Sequence, residues 1–179
     1  MELWDVYDVN RKRTGKRIVR GRERLGEGEY HIVVIVVVFT PDGRMLIQKR
    51  SKNKAGWPGM WDVSAGGAVT AGEDSAMGAE RELYEEIGIK RSFRGVRPHI
   101  SFSHRLGYAD CYIIEEDVDP NTLKLQASEV TEVKLATLDE ILKMIDDGLF
   151  IPYYESLMRL IYDMRAGYGT HKKPKNGEK

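Results

Sequence analysis

Apolar residues run unbroken from Ile32 to Phe39 (IVVIVVVF), too continuous for a strand with one wet face. Their β-branching predicts a strand buried on both faces in the middle of a mixed sheet. Before it, Leu3 to Val9 reads as an extended piece, followed by the turn-rich NRKRTG and a basic second piece, KRIVRGRER. Together they suggest a polar edge hairpin. After it, the turn Thr40-Pro41-Asp42-Gly43 returns the chain as a partner strand over Met45 to Lys49. Ser51 to Gly59 is a loop by its Gly, Pro, Asn and Lys content, and Trp61 to Ala65 alternates as a short strand. Val96 to Ser103 and Tyr108 to Ile114 read as strands joined at His104 to Gly107, and Glu132 to Leu135 as another. Leu138 to Asp146 reads as a helix stopped by Gly148, and Tyr153 to Met164 as a last amphipathic helix.

Between Trp61 and Val96 the period changes. Ala76, Ala79, Leu83 and Ile87 recur three and four residues apart, Asp74 or Ser75 is suited to cap the N-terminus, and Gly88 to end the helix in a left-handed turn. Strands on both sides of this helix, with another near the end, imply an α/β (α+β) sandwich on a mixed, largely antiparallel sheet. One domain is expected over residues 1–166, with residues 1–30 as a hairpin packed on it and residues 167–179 as a disordered tail. There is no internal repeat.

The helix is charged in an unusual way. Residues 66–89 hold six acidic side chains and a single cation, Arg81. At 100° per residue Glu82, Glu85 and Glu86 share one flank of the apolar stripe, and Arg81 points elsewhere. Like charges at these spacings cost roughly 0.2–0.5 kcal/mol per pair, and the last two also meet the negative end of the helix dipole. A solvated face normally interleaves Lys or Arg, which this one lacks. A hard divalent cation, Mg²⁺ or Mn²⁺, would supply the missing charge and is matched by oxygen ligands.

Composition makes this a local matter, because 28 basic and 28 acidic residues cancel and leave no bulk attraction to nucleic acid or anionic membrane. The longest apolar run is far shorter than the ~20 residues of a membrane helix. The one cysteine, Cys111, reads as a buried structural thiol, which favours a reducing, cytoplasmic setting. Eight Lys and Arg residues between Arg11 and Arg24 suggest RNA binding at first sight. Without interleaved aromatics they fit better as charges that keep an edge hairpin from pairing with other strands, and nucleic acid is not an expected partner. The same hairpin offers a surface for a homodimer, which nothing in the sequence compels.

Gly67, Glu73, Arg81-Glu82-Leu83, Glu85-Glu86 and Gly88-Ile89 reproduce, at every defined position, the box of the Nudix family, and the chain resembles that family there. The resemblance implies a Nudix-type α/β/α sandwich and Mg²⁺-dependent hydrolysis of a small-molecule diphosphate, such as a nucleoside diphosphate derivative. It further implies Glu85 and Glu86 as metal ligands, Glu82 as a ligand or the base that activates water, and the Gly66 carbonyl as another ligand. Arg81 and Glu73 would orient these carboxylates. The family often adds an acidic residue from a later loop, for which Glu129 is the candidate over Glu132.

ELWDVYD, LIQKRS and WPGMWDVSAGG look like the branch related to isopentenyl-diphosphate isomerase, which makes isomerisation the alternative, beside a catalytically silent diphosphate-binding protein. Those isomerases use a cysteine and a histidine where this chain has Gly66 and Ala68, which disfavours isomerisation. For the substrate, Arg50 is the candidate phosphate clamp over Lys49, Lys52 and Lys54. Trp57 is the candidate for stacking, Trp61 reads as core, and His104 lies at a hairpin tip within reach of the cleft.

Overall fold

In the computed structural model, residues 2–169 and 171 are described; the rest of the expected disordered tail lies outside the described residues. The predicted central strand is β3 (His31–Phe39). Strands β4 (Met45–Arg50) and β6 (Ala65–Ala68) pair with it antiparallel, and β8 (Gly107–Glu115) pairs parallel along its whole length. Strand β5 (Trp61–Asp62) and β9 (Val130–Ala136) flank β4, and β7 (Ile100–His104) forms the outer edge beside β8. A mixed sheet follows from the long crossover between β3 and β8, since a tight turn can only return a strand antiparallel.

Alternate side chains of β3 enter two different cores. Val34, Val36 and Val38 pack with Ala79, Leu83 and Ile87 of α1 (Ser75–Ile87). Val37 and Phe39, with Met45 and Ile47 of β4, pack with Ile141 of α2 (Leu138–Asp146) and with Met158 and Ile161 of α3 (Glu155–Met164). The sheet is thus sandwiched between α1 and the α2/α3 pair. Leu83 is fully buried at the centre of the α1 stripe, so Leu83→Ala is expected to cost about 3 kcal/mol, measured by urea unfolding.

Three predicted strands differ from the observed ones. The basic second piece of the hairpin runs from Arg13 to Val19 and not from Lys16 to Arg24, because the chain turns after Val19, with Arg22 N–H bonded to the Val19 carbonyl at 3.1 Å. The stretch expected as one strand from Trp61 to Ala65 is two, because the chain changes neighbours from β4 to β3 at Ser64. Its buried hydroxyl replaces the interrupted ladder, accepting from Val38 N–H at 2.8 Å and donating to the Leu46 carbonyl at 2.5 Å. The strand expected from Val96 begins only at Ile100, since a turn closed by Val96 N–H to the Phe93 carbonyl (2.9 Å) occupies the chain before it.

The N-terminal hairpin, β1 (Leu3–Tyr7) and β2 (Arg13–Val19), forms its own two-stranded sheet. Its cations are largely spent within the molecule. Arg11 grips Asp110 with two bonds (3.1 and 2.7 Å), Arg13 reaches the Glu73 carbonyl (2.5 Å), and Arg17 holds Asp5 (2.9 Å). Asp5 also accepts from Gly72 N–H (2.8 Å), which ties the hairpin to the loop leading into α1. Among the described residues no helix is long and apolar enough to cross a membrane.

Candidate active site

Helix α1 delivers the carboxylates. Asp74 caps it, accepting from Met77 N–H at 2.8 Å, and Gly88 ends it in the left-handed conformation (φ 78°). Three turns of helix carry Glu82, Glu85 and Glu86 to β6, where Gly66 and Gly67 leave the strand bare. A side chain at Gly67 would run into the Glu82 carboxylate, so glycine is what lets helix and strand approach here.

The three glutamates sit in different surroundings. Glu86 is 2% exposed, and its Oε2 accepts from Gly66 N–H at 3.0 Å and Gln48 Nε2 at 2.9 Å. Burial, and then the nearby charge of Glu82, push its pKa up to about 7 against these two hydrogen bonds. Burial also raises Glu82, against the pull of Arg81. The Glu85 side chain is 47% exposed. In a strand the N–H and C=O of one residue share an edge, so the Gly66 carbonyl faces the same side as the N–H that Glu86 accepts.

Arg81 does not point away as the helical wheel implied. Its long side chain turns back to give Glu73 two bonds (2.9 and 3.0 Å), and it also meets Glu82 at 2.8 Å, Glu85 at 3.3 Å and the Ala68 carbonyl at 2.9 Å. Burial alone would raise Glu73, but Arg81 and the Thr70 N–H outweigh it and hold Glu73 below its ordinary value. Arg81 and Glu73 thus form the salt bridge that the resemblance implied.

Glu129 comes from the turn before β9 and lines the same pocket of about 190 Å³ as Gly66, Gly67, Glu82 and Glu85. Its carboxylate is bound by Lys54. Glu132, the rejected alternative, instead faces Lys49 at 3.7 Å on the surface. Among the described residues no three His, Cys, Asp or Glu side chains stand close enough to hold a metal ion as they are; Arg81 and Lys54 lie among the carboxylates. Of the expected ligand set, Gly66, Glu82, Glu85 and Glu129 line one pocket and Glu86 is buried behind it against Gly66, so the set is not a finished chelate. Its chemistry fits a hard divalent ion: every donor is an oxygen, and two of the carboxylates are raised by burial and lack a full counter-charge.

A second cleft, of about 500 Å³, meets the first at Gly66 and brings together all three expected substrate residues, Arg50, Trp57 and His104. Arg50 is not a free phosphate clamp, however. Its guanidinium is tied to Asp62 (3.1 Å) and the Gly56 carbonyl (3.1 Å), and Asp62 also accepts from Tyr153 (2.9 Å). Lys54, passed over in the sequence in favour of Arg50, faces the carboxylates together with Arg81; loop composition carries no signal of where a side chain turns. Trp57 is 51% exposed at the cleft, with its backbone in the left-handed region (φ 50°), a conformation that costs a bulky residue energy. Trp61 is buried, as expected. His104 accepts from Leu106 N–H at 3.3 Å, and its ring lies 5.7 Å from that of His31.

The raised Glu86 has a measurable consequence. A folded state that holds a proton more tightly than the unfolded chain loses stability as pH rises, here across the window from about 4.5 to about 7. In chelator, the wild type should lose up to about 1.4 kcal/mol per pH unit relative to Glu86→Gln within that window. Thermal melts of the two proteins at matched pH values check this, and parallel curves would contradict it.

The NUDIX domain family model matches residues 29–154. An uncharacterised Nudix hydrolase of Listeria monocytogenes is 43% identical over 154 residues, which cover 86% of this chain and 90% of the relative. The isopentenyl-diphosphate Delta-isomerase of Pectobacterium atrosepticum is 27% identical over 143 residues, 76% of each protein. The crystal structure of DR0079 from Deinococcus radiodurans shares the fold with a TM-score of 0.70, at 24% identity, over 89% of this chain and 97% of that one. Together with the box geometry, these matches mean that the chain belongs to the Nudix hydrolase family, enzymes that cleave diphosphate-containing small molecules with divalent metal ions.

Proposed function

We propose that the protein hydrolyses a diphosphate linkage in a nucleoside diphosphate derivative or a similar organic diphosphate, with Mg²⁺ (or Mn²⁺) as cofactor and water attacking phosphorus. The carrying observation is the meeting of α1 and β6, where Glu82 and the buried Glu86 converge on a side-chain-free strand beside Glu129. Glu85, Glu86, Glu129 and the Gly66 carbonyl would hold the ion. When bound, the ion supplies charge neutralisation for the diphosphate and lowers the pKa of water. Glu82 is a further ligand or the base that takes the proton of the attacking water. Arg81 and Glu73 fix the direction of these carboxylates, and such supports are worth 10–100-fold in metal sites. The organic part of the substrate would occupy the adjoining cleft, stacked on Trp57 with Arg50 and His104 beside it.

Isomerisation of an alkenyl diphosphate has less support. It needs an acid and a base on opposite faces of the alkene, yet Gly66 and Ala68 stand where the related isomerases carry cysteine and histidine. Cys111 offers no substitute, since it is buried in β8 with its thiol pushed up to about 12 by burial and the neighbouring Asp110. A cytoplasmic setting belongs to the same reading, supported by this single buried thiol.

The test is phosphorus NMR of the protein with Mg²⁺ against nucleoside-diphosphate sugars, dinucleoside polyphosphates, nucleoside triphosphates, CDP and isopentenyl diphosphate. Loss of a diphosphate signal with two phosphate-bearing products supports hydrolysis and names the substrate class. An intact diphosphate with migrated alkene protons would replace the reading with isomerisation.

A further inference from the structure

Lys54 has no part in the scheme above, yet its side chain, 16% exposed, is set deeper among the carboxylates than Arg81 at 23%. It reaches in from the loop between β4 and β5, binds the Glu129 carboxylate and faces the charges of Glu86 and Glu82. The other cations of this pocket have partners other than Glu129 and Glu86. Arg20 is held by Glu2 at 2.7 Å and lies over the Trp4 ring, and Arg81 is shared among Glu73, Glu82 and Glu85. Lys54 is thus the counter-charge of Glu129, and its charge also acts on Glu86.

We propose that Lys54 is a built-in stand-in for the divalent ion: it neutralises the carboxylate pocket of the metal-free protein and is expelled from Glu129 when the ion enters. The inference rests on the reading of Glu82, Glu86 and Glu129 as the ion's ligands. The physical reason is competition. An ammonium and a divalent cation compete for the same carboxylate oxygens, and their mutual repulsion at a few ångströms in a half-buried pocket subtracts from what either gains there. Metal binding is then an exchange of cations, so its affinity is lower than the carboxylates alone would give. The same exchange keeps the empty pocket from being a cluster of unbalanced negative charge.

Two measurements test this without relying on turnover. In calorimetric titrations with Mn²⁺, Lys54→Gln is expected to bind the ion at least about fivefold more tightly than the wild type, and Lys54→Arg to stay within about twofold of it. In the wild type, amine-reactive labelling read by peptide mass spectrometry should be slow at Lys54 in chelator. It should become severalfold faster with Mg²⁺, while surface lysines such as Lys143 stay constant. Equal or weaker Mn²⁺ affinity in Lys54→Gln overturns the proposal, and so does a Lys54 labelling rate indifferent to Mg²⁺. If both results are as expected but no diphosphate is cleaved, the proposed activity fails and the cation exchange stands. Cleavage without either effect means the reverse.

Discussion

Glu86→Gln is expected to lower kcat by about 10²–10⁴-fold while leaving the protein at least as stable as the wild type at neutral pH. The amide keeps the shape of the side chain and can still accept from Gly66 N–H, so the fold loses little. What disappears is a negative charge that burial and Glu82 already oppose, as its pKa of about 7 records. A group that the folded chain keeps ionisable at such a cost is used for its charge. Steady-state kinetics beside a thermal melt separates the two effects. Full metal-dependent turnover by Glu86→Gln would remove the residue from the site.

Arg81→Ala should be damaging in both respects. Its guanidinium joins Glu73, Glu82, Glu85 and the Ala68 carbonyl, so its removal takes the counter-charge from Glu82 and from Glu73, which keeps the Thr70 N–H. The expected cost is about 3 kcal/mol, at the low end for a broken buried pair because the pair is partly wetted. For a chain of this size that is about 6–12 °C in Tm. Turnover should fall by about 10–100-fold, since Glu82 and Glu73 lose the fork that aims them. Arg81→Lys is expected to restore part of the stability and little of the rate, because one ammonium cannot bind several carboxylates and a carbonyl at fixed angles. Denaturant unfolding and kinetics of the two variants decide the matter; a lysine variant with normal kcat would show that charge suffices and geometry does not.

The fold was legible where hydrophobic periodicity is strong. The β3 run, the α1 stripe with its Asp74 cap and Gly88 stop, and the helices after Thr137 all follow from local pattern and capping chemistry. What escaped was non-local. Ser64 marks the point where one extended stretch changes neighbours, and a lone serine in a sequence does not reveal which carbonyl it will bridge. The direction of β8 against β3 depends on the crossover, which strand composition does not encode.

At the site, Glu82, Glu85 and Glu86 were legible as neighbours because their spacing is rigid along one helix, whereas Gly67 and Glu73, which precede it, were legible only through the resemblance. Arg81 and Lys54 were misjudged for one common reason: long cationic side chains go where charge draws them, and a helical wheel or a loop composition does not contain that field. Arg50 is the converse case. Its position after a strand suggested a phosphate clamp, but a buried carboxylate, Asp62, twelve residues on in the sequence, takes its guanidinium. The basic hairpin similarly turned inward, Arg11 reaching Asp110 of β8 from ninety-nine residues away.

In the proposed reaction water attacks phosphorus under the control of a divalent ion. The direct measurement is phosphorus NMR of a cleaved diphosphate in ¹⁸O-enriched water, run once in chelator and once with Mg²⁺ restored. No cleavage is expected in chelator; with Mg²⁺, a phosphate product whose signal carries the isotope shift of one ¹⁸O is expected. Cleavage at equal rates in chelator, or a product in which the label has entered carbon and not phosphate, would contradict the proposed reaction.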